Sequence, residues 1–169
     1  MPIRKATDND IPELVQLINS AYRGESSKKG WTTEADLLDG ARISIESLAS
    51  LLGKPGVAML LFCNETNSIE GCMYLQQLDN KLYLGLLTVT PQLQAKGIGK
   101  QLLVAAENHA HALQCNIITM TVISIRLELV AWYVRHGYQP TGETKPLPAD
   151  PAVGLPRRPL ELIIMEKTI

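Results

Sequence analysis

The stretch LYLGLLTVTPQLQAKGIGKQLLVAAENHAHAL, residues 82–113, decides the fold. It opens as an apolar strand and breaks at Pro91, whose missing N–H cannot join a β-ladder. It then turns through Gln94-Ala95-Lys96-Gly97-Ile98-Gly99-Lys100. From Ile98 onward Leu102, Ala106, Ala110 and Leu113 recur at helical spacing, which predicts a helix of about four turns.

A turn of this kind has a chemistry of its own. The start of a helix carries unbonded N–H groups and the positive end of the helix dipole, so it attracts anions. Glycines there let a diphosphate reach the backbone with no Cβ in the way, and Lys96 and Lys100 add positive charge. Two familiar nucleotide motifs fail on the residues. A Walker A loop needs a glycine five before Gly99 and a Ser or Thr after Lys100, but those positions are Gln94 and Gln101. A dinucleotide fingerprint needs a third glycine where Leu102 stands.

The flanking sequence supplies the other elements. Residues 2–6 read as an opening strand, and Asp8 or Asp10 is expected to cap a helix from Ile11, with Pro12 in its first turn. Leu14, Leu17, Ile18 and Ala21 give that helix one apolar face before it ends ahead of Gly24. Residues 24–33 read as a loop around Trp31, with Thr32 or Thr33 capping a short helix, and a further helix spans 44–52. Residues 57–64, 69–78 and 81–90 form three strands of an antiparallel meander. After the long helix come a strand at 116–123, a helix at 126–136 ended by Gly137, a strand from Tyr138 and a last strand at 160–165. Five of the ten prolines fall between residues 146 and 159, which reads as a stiff excursion.

The bulk numbers bound the class. One domain over residues 1–169 is expected, since 169 residues bury a core without staples. Sixteen basic and seventeen acidic residues give a formal charge of -1, which argues against nucleic acid as a partner. The apolar run 57–63 is too short to span a bilayer, so no membrane association is expected. Cys63, Cys72 and Cys115 form no C-x-x-C pair and read as buried reduced thiols, consistent with a cytoplasmic protein. His109, His111 and His136 have no ligand spacing, and no metal is expected.

At this point the chain resembles the GNAT superfamily of acyl-CoA N-acyltransferases. Gln94, Gly97 and Gly99 match its [RQ]-x-x-G-x-[GA] hallmark after the fourth strand. Ile3-Arg4-Lys5-Ala6-Thr7 with Asp10 and Leu14 looks like the family's opening, and Tyr133 before Gly137-Tyr138 matches its Y-x-x-x-G-[FY] helix end. The order of elements agrees throughout. The resemblance implies an α/β fold of the α+β type, a mixed, mostly antiparallel sheet of about seven strands flanked by about four helices. It also implies acetyl-CoA as cofactor, wedged where the sheet splays beside the fourth strand.

Carried onto this sequence, the resemblance places the pantetheine arm on backbone groups of Leu87, Thr88 and Val89 and the diphosphate on Gln94, Ala95, Lys96, Gly97, Ile98, Gly99 and Lys100. Tyr133 becomes the acid that serves the departing sulfur. Two departures stand out. The fourth strand holds no acid where many relatives have a glutamate, leaving a water, Glu34 or Glu143 as base. Arg126 stands where many relatives have an asparagine seven residues before the tyrosine; it either contacts the cofactor or pairs with Glu128. Tyr22, Arg23, Trp31 and Glu34 are the candidate acceptor wall, with Arg157 and Arg158 across from them. The expected activity is transfer of an acetyl group to a primary amine of a small molecule. A protein or peptide acceptor, and a non-catalytic acyl-CoA sensor, are the alternatives; a homodimer is common in the family.

Overall fold

The computed structural model of the protein describes residues 2–22, 38–39, 42–94, 96–147, 155–156 and 160–169. In chain order the elements are β1 (Ile3–Lys5), a 3-10 turn (Asp8–Asp10), α1 (Ile11–Tyr22), β2 (Leu38–Asp39) and α2 (Ile45–Leu52). Strands β3 (Val57–Cys63), β4 (Ile69–Leu78) and β5 (Lys81–Val89) follow, then a 3-10 turn at Pro91–Leu93 and α3 (Ile98–Ala112). The chain continues with β6 (Ile117–Ile123), α4 (Leu127–Arg135), β7 (Gln139–Pro146), β8 (Leu155–Pro156) and β9 (Glu161–Thr168).

Seven strands make one sheet in the order β1-β3-β4-β5-β6-β9-β7. Every pairing in it is antiparallel except β5 with β6. The sheet has a core on each face. On one face Leu14, Ile18 and Leu48 from α1 and α2 pack on Leu61, Cys72 and Tyr74. On the other, Leu102 and Ala106 of α3 and Leu129 and Tyr133 of α4 pack on Leu75, Leu82, Ile118 and Met120. Burying each leucine side chain in these layers contributes roughly 1.5–3 kcal/mol. The three cysteines are buried and free, as the sequence predicts.

The expected elements form within a residue or two, with three corrections. Neither Asp8 nor Asp10 caps α1; both lie in the 3-10 turn capped by Thr7. Asp10 is diverted because its carboxylate accepts the Thr7 N–H (2.8 Å) and both outer nitrogens of Arg4 (2.9 Å each). The last strand runs on to Thr168, since its partner β6 offers ladder positions back to Ile117. The third is the two-residue pair β2–β8, which joins the α1–α2 connection to the proline-rich segment. The short helix expected after Thr32 or Thr33 lies outside the described residues. Among the described residues no helix is long and apolar enough to cross a membrane.

The Arg4–Asp10 pair ties the turn before α1 to the edge strand, with side chains 35% and 13% exposed. The guanidinium holds the Asp10 carboxyl down at about 2. A carboxyl that titrates lower when folded stabilises above its unfolded pKa, and the gain disappears as pH falls through the folded one. Asp10→Asn should therefore cost about 1 kcal/mol at neutral pH, given the partial exposure of the pair. Denaturant titrations should show the gap between variant and native protein closing as the pH approaches 2.

Candidate active site

The site is built where β5 leaves its neighbours. Cys72 pairs with Thr88 and Tyr74 with Gly85, so Met73 alone opposes both Leu86 and Leu87. This bulge puts Leu86 at φ +50°, a left-handed conformation that costs a side-chain-bearing residue roughly 1–2 kcal/mol. Local bonds hold it there: the Thr88 hydroxyl donates to the Leu86 carbonyl at 2.7 Å, and the Cys72 thiol approaches the same oxygen at 3.8 Å. Burial pushes that thiol up to about 12, so it stays protonated.

On its other side β5 pairs with β6 only through Lys81, Leu82 and Tyr83. Beyond Tyr83 the strands separate and the backbone of β5 faces a gap. The Thr90 N–H donates to Glu70 at 2.8 Å, so strand alternation turns the polar groups of Val89 away from β4, toward that gap. The Val89 carbonyl accepts the Gln94 side-chain amide at 3.0 Å, which ties the glycine turn to the strand end. The Leu87 carbonyl accepts the Tyr22 hydroxyl from α1.

The floor of the gap is the start of α3. Gly97 caps the helix at φ +86°, and a side chain would be strained there although space is open. The first bond of the helix runs from Gln101 N–H to Gly97 C=O at 3.1 Å. The N–H groups of Ile98, Gly99 and Lys100 therefore precede the helical ladder. A Cβ on Gly99 would sit 3.1 Å from the Trp132 ring, so α3 and α4 approach closely here.

α4 supplies the far wall. Leu129, Trp132, Tyr133 and His136 line the same cleft as Leu87, Val89, Gln94, Gly97, Gly99 and Lys100, enclosing about 230 Å³. Trp132 stacks on His136 at 4.3 Å, and the imidazole Nδ1 lies 2.7 Å from the Trp132 carbonyl. Tyr133 is 5% exposed, and burial foremost pushes its phenol well above the usual 10. The nearby phenols of Tyr22 and Tyr138 add to that shift, and Arg126 opposes it. Tyr133 is thus a neutral donor at physiological pH.

The sequence-predicted residues divide. The strand and turn residues just named converge with Tyr133 on one cleft. Ile98 is buried in the core, and Lys96 is exposed with its N–H on the Leu93 carbonyl. Thr88 is fully buried, its hydroxyl spent on the bulge, and it is not among the cleft-lining residues. Arg126 caps α4 outside the lining, within electrostatic range of Tyr133. Tyr22 is buried beneath the bulge, with Arg42 over its ring at 5.8 Å. Glu143 stands exposed on β7 within electrostatic range of Lys81. Ala95, Arg23, Trp31, Glu34, Arg157 and Arg158 lie outside the described residues. Sequence reasoning missed Leu129, Trp132 and His136, whose spacing around Tyr133 was the available signal.

Behind the bulge, on the α1–α2 face, a trench of about 580 Å³ runs between α2 and strands β4 and β5. Leu86 lines the trench and Leu87 lines the cleft, so adjacent residues of one bulge reach both. A thioester on one side and a nucleophile on the other would meet there. Among the described residues, no cluster of three His, Cys, Asp or Glu could hold a metal ion.

A splayed strand beside a bare helix start is an acyl-CoA site in outline: an extended amide-bearing arm fits the strand edge, and phosphates fit the helix. The chain belongs to the GNAT acetyltransferases, since the model of the acetyltransferase (GNAT) domain matches residues 40–146. Members are acetyl-CoA-dependent N-acetyltransferases that act on amine acceptors. Solved structures with the same fold include a ribosomal-protein-alanine N-acetyltransferase from Brucella melitensis, 19% identical, covering 100% of both chains with a TM-score of 0.73. A PaiA N-acetyltransferase from Thermoplasma acidophilum in complex with coenzyme A is 20% identical over 99% of this chain and 98% of that one, with a TM-score of 0.71. An IAA acetyltransferase from Bacillus cereus is 15% identical over 99% and 98%, with a TM-score of 0.65. The search of curated proteins finds no match.

Gly97→Asp tests the cradle. The substitution adds strain at φ +86° and a negative charge beside the bare helix start. At 100 Kd a ligand stabilises its protein by about 2.7 kcal/mol. Thermal unfolding with saturating acetyl-CoA should show that gain for the native protein and none for Gly97→Asp.

Proposed function

We propose that this chain, as a single domain over residues 1–169, transfers an acetyl group from acetyl-CoA to the primary amine of a small molecule. The observation that carries the reading is the meeting of two recesses at the Leu86–Leu87 bulge, one ending in a helix start suited to phosphates and the other open to an acceptor.

In this reading Leu87 and Val89 hold the pantetheine arm by main-chain bonds, as an added strand would be held. Gln94 fixes the turn, and the N–H groups from Gly97 to Lys100 hold the diphosphate. Bound acetyl-CoA supplies an acetyl thioester. An alkylamine with a pKa near 10.4 is about one part in a thousand neutral at pH 7, so the amine must shed a proton before attack. Tyr133 donates a hydrogen bond to the departing sulfur. A thiol ionises near 8.5, so a phenolate left on Tyr133 would be the stronger base and would not persist. Its contribution is therefore stabilisation of the developing thiolate rather than a lasting proton transfer.

Release of free thiol from acetyl-CoA, followed across amino acids, polyamines and an alanine-initiated peptide, tests the function. Turnover with a small amine supports the reading, and turnover with the peptide alone replaces it by the protein-directed one. Tyr133→Phe should retain acetyl-CoA affinity in calorimetry while losing about 100-fold or more in kcat. Unchanged kcat would remove Tyr133 from the mechanism.

A further inference from the structure

The fourth strand of the sheet lacks a carboxylate, and the trench shows what stands at the bulge instead. Tyr83 and Gly85 are two apart on β5, so their side-chain positions share the trench face. A Cβ built on Gly85 would lie 3.0 Å from Tyr83 Cε1 and 3.3 Å from its hydroxyl oxygen. The Tyr83 ring edge and hydroxyl therefore lie over the bare Cα of Gly85, one residue before the Leu86 bulge. Tyr74 braces the ring edge-on, with centroids 6.3 Å apart at 71°. The Tyr74 hydroxyl is itself spent on Gln76 at 3.1 Å. Among the described residues the Tyr83 hydroxyl has no hydrogen-bond partner, which leaves it for a ligand. Tyr83 is also within electrostatic range of Tyr133 across the splayed strand.

We propose that Tyr83, laid over Gly85, is the catalytic residue that contacts the acceptor amine in the trench. This rests on the acetyltransferase reading above. Its phenol oxygen accepts an N–H of the neutral amine and points the nitrogen lone pair through the bulge. The lone pair forms the C–N bond as the C–S pair leaves on sulfur. The surplus proton on nitrogen passes to the Tyr83 oxygen while Tyr83 gives its hydroxyl proton to water in the open trench. The phenol is neutral before and after, so no phenolate and no carboxylate on the strand are required. Glycine at 85 is then a functional choice: any side chain there lifts the ring off the strand and swings the hydroxyl away from the bulge.

Two variants separate this role from structure. Tyr83→Phe keeps the ring and removes the hydroxyl. Gly85→Ala keeps the hydroxyl and displaces it, and its clash is with the far end of a flexible side chain rather than with backbone. Both should unfold at the native temperature or above and bind acetyl-CoA with native affinity. With the best amine of the panel, both should lose about 10- to 100-fold in kcat/KM, the worth of one hydrogen bond to a charge-developing nitrogen. The loss in Tyr83→Phe should fall mainly on kcat and should vary with amine pKa across a series of substituted benzylamines. Native kcat/KM in both variants, with active wild-type protein, would overturn the role of Tyr83 and leave the function standing. A wild type that binds acetyl-CoA and acetylates no amine would overturn both.

Discussion

Most of what this chain can do depends on a bulge of one residue. Leu86 in the left-handed region gives β5 an extra residue against β4, and the strand bends at the point where its parallel partner β6 falls away after Tyr83. A regular β5 would continue its ladder with β6, and no cleft would exist. The strain at Leu86 is met locally by Thr88 and by full burial of the two residues that pin it, Thr88 and Cys72. The strand thus turns backbone groups of Val89 toward the gap, where an extended ligand with amides of its own could pair with them.

The helix that follows completes the arrangement. α3 begins four residues after Gln94, whose side chain is tied to the end of β5, so the helix start stays close to the strand edge. Trp132 closes on Gly99 from α4 and carries Tyr133 into the same recess. Strand edge, helix start and phenol come from three elements separated in sequence. They are held together by one core on the α3–α4 face of the sheet. The opposite core, around α1 and α2, positions the trench instead.

Much of this was legible in the sequence because it is periodic or glycine-marked. The 3.6 spacing of α3, the β-branched runs and Gly97 with Gly99 located strands, helix and the glycine turn between them. Tyr133 followed from its distance to Gly137. What the sequence concealed was the bulge, since Leu86 carries no mark of a left-handed residue and no glycine or asparagine stands in its place. Nor did the sequence show that the hydroxyls of Thr88 and Tyr22, residues expected at the cofactor and the acceptor, bond to carbonyls of the bulge. The setting of Gly85 was hidden for a related reason: a glycine inside a strand reads as a weak point until the ring lying over it is seen.

In the proposed binding mode, main-chain donors at the start of α3 take the diphosphate while β5 takes the arm. Amide chemical shifts of labelled protein titrated with acetyl-CoA, and separately with S-acetylpantetheine, address it directly. Large shifts are expected at Gly97, Ile98, Gly99 and Lys100 with acetyl-CoA only, and shifts at Leu87 and Val89 with both ligands. Shifts in Gly97 to Lys100 that are equal with the phosphate-free ligand, or absent with both, would contradict it.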